Sequence, residues 1–245
     1  MKRILCGLLL IAATAIAQEP ASVSVIVPVV GSAVGPLDTR WKTDVELHND
    51  LRTEMTVALS LPTAKDQPVI LLTIPGGGVQ RFTDVAGEAF GLDNVLSPLV
   101  IQTLGHRSVR VIANAYAVQG STITKPQPIP ITDTSSFFPQ RTIPNIAYTS
   151  SRRTNVGLIN LGETEAVLTM ALRSPTGETV GATRSVLPAN TMWHLAVQLI
   201  FPGMENGDNY SILVETGMHD TFVYASVIDN TTNEAQFIAP LVGVH

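Results

Sequence analysis

A pattern of alternating apolar and polar residues occurs twice, 111 positions apart, and limits the chain to few folds. Thr43, Val45, Leu47, Asn49, Thr53, Glu54 and Leu61 align without a gap on Thr154, Val156, Leu158, Asn160, Thr164, Glu165 and Leu172. Within each window the apolar residues recur every second position, the period of a strand with one face buried and one wet. The match extends in order, with small insertions. Ile74-Pro75 meets Leu187-Pro188, Phe82 meets Leu195, and Ala113 meets Ala225. At the same shift Pro28 meets Pro139, and Pro128-Ile129-Pro130 faces Ile238-Ala239-Pro240 near the two ends. Order maintained over this distance points to an internal duplication.

Each copy has the length of a common β-sandwich domain. Val, Ile and Thr favour a pleated surface. Turn residues separate the runs at Asn49-Asp50, Gly76-Gly77-Gly78, Pro175-Thr176-Gly177, Asn206-Gly207-Asp208 and Asn230-Thr231. The expected fold is all-β: two tandem antiparallel β-sandwiches, immunoglobulin-like or similar, over residues 18–131 and 132–245. A polar linker is expected at residues 132–136. Val27-Pro28 and Phe138-Pro139 read as first strands, where proline is tolerated at an edge. One short helix is expected over residues 84–90, with Val85, Ala89 and Phe90 on one side.

The start of the chain predicts export. Lys2 and Arg3 precede an uncharged apolar run, and Ala15-Ile16-Ala17 places small residues at a cleavage site. This is the pattern of a signal peptide over residues 1–17, cut between Ala17 and Gln18. The run is short for a bilayer span. Cys6 is the one cysteine and lies before that run, so the mature chain is expected to hold neither disulfide nor thiolate site. Loss of Lys2 and Arg3 takes the formal net charge from −5 to −7. With no basic run, nucleic acid is not an expected partner. No other stretch is apolar enough to span a membrane as a helix. The expected location is periplasmic or extracellular.

The two copies share a further motif, a basic residue followed by Thr-Asp or Thr-Asn, alternating apolar residues and an Asn. The motif runs Arg40-Trp41-Lys42-Thr43-Asp44-Val45-Glu46-Leu47-His48-Asn49 and Arg152-Arg153-Thr154-Asn155-Val156-Gly157-Leu158-Ile159-Asn160. With Tyr224-Ala225-Ser226-Val227-Ile228-Asp229-Asn230, it resembles a tandem module of uncharacterised secreted bacterial proteins. That resemblance implies no activity and transfers no catalytic residue.

Comparison of the copies also sorts candidate chemistry. Asp44 aligns with Asn155, which has no titratable proton, so neither position reads as a general base. Asn49 and Asn160 read as turn residues, and Glu54 and Glu165 as solvated carboxylates. His48, His106, His194, His219 and His245 show no metal-ligand spacing. His48 aligns with Ile159, and His194 with Arg81. Gly31-Ser32-Ala33-Val34-Gly35 lacks nucleophile-elbow spacing. Residues 205–208 and 229–234 are oxygen-rich but read as turns, and no phosphate-loop Lys follows Gly76-Gly77-Gly78. No catalytic, metal or cofactor residue is expected. Trp41 and Trp193 are the candidate ligand-binding residues, since an exposed indole can stack on a ligand. The alternative is that each covers an end of its own sandwich, Trp193 on the strand face of Leu195.

Three functions are carried forward from these residues. The first is a non-enzymatic interaction or structural module for a protein or envelope component. The second is a carbohydrate- or small-ligand-binding module. The third is a periplasmic assembly chaperone.

Overall fold

The structure is a computed structural model that describes residues 22–35, 38–104, 109–133 and 139–242. The expected signal peptide, with Cys6, lies outside these residues, as do His106, Phe138 and His245. The fold is all-β with antiparallel pairing throughout, in the manner of packed sandwiches.

The first half contains β1 (Ser22–Val34), β2 (Arg40–His48), β3 (Met55–Ser60), β4 (Val69–Ile74), β5 (Val79–Phe82), α1 (Val85–Phe90), β6 (Val95–Leu104) and β7 (Arg110–Gln119). Three two-residue strands follow: β8 (Thr122–Ile123), β9 (Gln127–Pro128) and β10 (Thr132–Asp133). The sheet order is β4-β3-β6-β1-β2-β7-β8. β1 joins the two layers. It pairs with β6 along most of its length, with β10 at Val25 and Ile26, and with β2 at Ser32 to Val34. Its bend falls at Pro28 and Val29, where the register slips between Val27↔Leu99 and Val30↔Ser97. Pro28 and Pro98, on opposite sides of that slip, have no N–H to give to a ladder. Thr132 and Asp133, expected in a linker, instead complete the first sheet by pairing with β1.

The second half contains β11 (Gln140–Tyr148), β12 (Arg152–Asn160), β13 (Ala166–Arg173), β14 (Thr179–Leu187), β15 (Thr191–Ala196), α2 (Val197–Ile200), β16 (Gly207–Thr216), β17 (Thr221–Asp229), β18 (Ala235–Ile238) and β19 (Leu241–Val242). Its sheets are β14-β13-β16-β11-β19 and β15-β12-β17-β18.

The pairings of the first half recur in order. β1–β6, β2–β7, β3–β4, β3–β6, β2–β5 and β1–β10 correspond to β11–β16, β12–β17, β13–β14, β13–β16, β12–β15 and β11–β19. Val45 pairs with both Phe82 and Ala113, and Val156 with both Leu195 and Ala225. Pro28 is the exception to the sequence alignment. Its positional counterpart is Pro144, not Pro139, because the bulge of β11 lies between Ile143 and Ile146.

Residues shared between the halves are pins. Thr43 Oγ1 accepts the Gly31 N–H at 3.1 Å, and Thr154 Oγ1 accepts the Ala147 N–H at 2.9 Å. Each binds the first strand of its half to the second. Asn49 and Asn160, expected as turn residues, are fully buried beneath their turns. Asn49 Nδ2 donates to the carbonyls of Thr53, Ile74 and Pro75, while its Oδ1 accepts the Leu51 N–H. Asn160 does the same with Thr164, Leu187, Pro188 and Gly162.

α1 forms where expected. Asp84 caps it by accepting the Gly87 N–H, and Gly91 at φ 66° ends it. α2, a single turn in the corresponding place, was not expected, since four residues carry too little periodicity to read.

Two apolar cores result. The first gathers Val27, Val45, Leu47, Val57, Leu59, Leu99 and Ile101, and the second Ile143, Val156, Leu158, Leu168, Met170, Ile212 and Val214. β17 is buried on both faces. Val223, Ala225 and Val227 point into the second core, whereas Phe222 and Tyr224, with Ile159 from β12, join the first core. The outer face of the second half's β15-β12-β17-β18 sheet is therefore packed against the first half.

Candidate functional site

The corresponding outer face of the first half is polar. Glu46 pairs with Arg81 at 2.7 Å and approaches His48 at 3.2 Å, and Arg110 pairs with Asp50 at 2.7 Å. In the second half, Gly157 replaces Glu46, His194 replaces Arg81 and Ile159 replaces His48. Exchange of charge for apolar or small residues lets this face be covered, since a buried charge needs a partner.

Gly157 is required for the packing. A Cβ there would lie 1.8 Å from Tyr224 Cε1, so the Tyr224 ring lies directly over the bare backbone. Across the sheet His194 pairs with Gly157, and Gly157 pairs with Tyr224. His194 Nδ1 and the Tyr224 hydroxyl are 2.8 Å apart over this glycine. Burial lowers the His194 pKa to about 4 and raises the Tyr224 phenol above its ordinary range. Both side chains are uncharged at neutral pH, which suits a low-dielectric location.

Beside this row the halves enclose a cleft of about 400 Å³, within the size range of small-molecule sites. One wall is the outer face of the second half: His194, Ala196, Asn155, Ser226, Phe237, Arg153, Ile228 and Ala235. These residues form successive cross-strand rows, Ala196–Asn155–Ser226–Phe237 and Arg153–Ile228–Ala235. The other wall is one end of the first sandwich, with Val29, Gly31, Ala33, Trp41, Thr43, Leu96 and Ala115. The lining is mostly aliphatic, and its described residues include no Asp or Glu.

The structure separates the two expected ligand residues. Trp41 lines the cleft, half-buried and paired with Ala33 and Ala117. Trp193 lies on the inward face of β15 and packs against the second core. Neighbouring His194 takes the cleft-facing position.

Arg153 and His194 are cleft residues that sequence comparison does not single out: Arg153 reads only as part of the shared motif, and His194 as a position not shared between the halves. Arg153 aligns with Lys42. The Lys42 Nζ is 3.0 Å from the carboxylate of Asp84, the cap of α1. In the second half the N-cap of α2 is Ala196, and no carboxylate replaces Asp84. Arg153 donates instead to the amide oxygens of Asn230 at 2.6 Å and Asn233 at 3.3 Å. Desolvation lowers its pKa without an opposing anion.

Among the described residues no group of three or more His, Cys, Asp or Glu could hold a metal ion, and no helix is long and apolar enough to cross a membrane. No protein-family model and no curated protein matches the chain. The solved structure of Bacteroides uniformis beta-glucuronidase 2 aligns at 10% identity and a TM-score of 0.18. The alignment covers 83% of this chain and 25% of that one, so the chain spans about a quarter of the enzyme's length.

Proposed function

We propose that this protein is a non-enzymatic, exported binding module that holds a small ligand between two sandwiches derived from one ancestral copy. The observation that carries the reading is the cleft itself. An aliphatic chamber between the halves offers an indole, Trp41, and a few polar groups, the usual composition of a ligand site. The non-enzymatic part draws on the same chemistry. The one histidine of the cleft is neutral and engaged with Tyr224, and no carboxylate in the lining could act as its partner. Export to the periplasm or beyond rests on the leader sequence, and duplication on the recurring pairings.

A thermal-shift screen of small organic molecules and saccharides tests this proposal. Ligands should raise the Tm of the mature protein but not of Ala33→Trp, which fills the cleft. A screen without ligands, or equal shifts in both proteins, would count against it.

A second reading, a module for a protein or envelope component, draws on the edge strand β4. Its outward Val69 and Leu71 are 63% and 73% exposed. An apolar edge of this kind can accept a partner's strand, as assembly chaperones do.

A further inference from the structure

We propose that the cleft selects a small organic anion, a monocarboxylate with an apolar aryl or alkyl body, and that Arg153 is its anchor. The inference rests on the reading of the cleft as a ligand site and adds the ligand's chemistry.

Three observations lead to it. First, the cationic positions of the two halves differ in their partners. Lys42 is neutralised by Asp84. Arg153, at the aligned position, has no ion pair among the described residues, because the cap that would supply one is Ala196. Second, Arg153 is prepared for a planar acceptor. A guanidinium carries five N–H donors in a fixed fork. Two of them are engaged by Asn230 and Asn233, which hold the group in place. The others have no protein partner among the described residues, and a carboxylate matches that fork with two parallel bonds. Third, the apolar part of the lining defines the body of the ligand. Val29, Leu96, Ala115, Ile228 and Phe237 offer no hydrogen bonds from their side chains, and Trp41 offers a flat face. No lining carboxylate repels an anion, and His194 is held neutral by its surroundings. A mostly apolar wall with one unpaired, partly desolvated cation therefore favours an amphipathic anion over a neutral sugar, whose many hydroxyls would outnumber the few polar groups, Thr43, Asn155 and Ser226 among them.

Calorimetry with three acid–amide pairs tests the inference: benzoate, 2-naphthoate and octanoate, each beside its uncharged amide. At least one acid should bind the wild-type protein about tenfold tighter than its amide. In Arg153→Gln the acid should fall to the affinity of the amide, while the amide is unaffected. Arg153→Lys, which keeps the charge but not the fork, should retain part of the preference. Acid and amide binding equally to the wild type, or a preference that survives in Arg153→Gln, would overturn the anion inference and leave the ligand site standing. Silence from all six compounds in a folded protein would overturn both.

Discussion

Asn49 and Asn160 sit at aligned positions in the two halves and make the same four hydrogen bonds, each closing its own loop onto the strand that follows. Both asparagines are buried, and in each half the bond to the carbonyl of the following strand, Ile74 or Leu187, is buried with them.

Replacement of either asparagine by alanine should cost about 1–3 kcal/mol, the penalty of leaving a buried acceptor unsatisfied. Urea unfolding of Asn49→Ala and Asn160→Ala checks this. Similar losses are expected, since the bonding sets are alike. A loss below 1 kcal/mol, about the net worth of one ordinary bond, would show that the loops close without the pins.

Gly157 and Tyr224 form the second dependency. Gly157→Ala should destabilise by about 2 kcal/mol or more, because the new methyl overlaps the phenol ring. Gly157→Ala combined with Tyr224→Ala should lose less than the sum of the two single changes. Additive losses in a double-mutant cycle would show that the ring does not depend on the bare backbone.

Burial of neutral His194 gives stability a pH dependence. An unfolded histidine takes up its proton near pH 6.5, whereas the folded one refuses it until about pH 4. The unfolded state therefore binds more protons between these values, and stability falls as pH falls through that window. The loss from this residue approaches about 3 kcal/mol at pH 4 and is absent above pH 7. Unfolding free energies of the wild type and His194→Gln, measured from pH 7.5 to 4, should differ in slope across the window. Parallel curves would contradict the burial of a neutral ring.

The edge strand β4 predicts a solubility effect. Leu71 is 73% exposed on a strand with an unpaired side. Leu71→Lys should reduce self-association in light scattering and leave stability within about 0.5 kcal/mol, as surface changes usually do. Unchanged association would show that this edge is already protected.

The sequence comparison read the framework well because the framework is what the halves share. Thr43, Thr154, Asn49 and Asn160 each have one job in both halves, and alignment found all four. Phe82 and Leu195 were aligned for the same reason, and each pairs with the corresponding valine, Val45 or Val156. Pro28 was matched to the wrong proline because β11 places its bulge five residues further along, and a bulge is set by tertiary register rather than by local pattern. The cleft was hidden by the same logic that revealed the framework. Asymmetry builds it: Gly157 for Glu46, His194 for Arg81, Ala196 in place of the acidic cap. A test for shared chemistry passes over such positions. Trp41 was legible as a cleft residue by type alone, while Trp193 shares the inward face of Leu195 and its neighbour His194 faces the cleft, because successive residues of a strand point to opposite faces.

The most direct test of a ligand site between the halves is fluorescence of the Trp193→Phe protein, in which Trp41 is the one remaining tryptophan. Titration with aryl carboxylates and a saccharide panel should produce a saturable change in Trp41 emission for at least one compound. The reciprocal protein, Trp41→Phe with Trp193 retained, should stay silent with that compound. A signal that follows Trp193 instead, or no signal from a compound that raises the Tm, would contradict a site in the cleft.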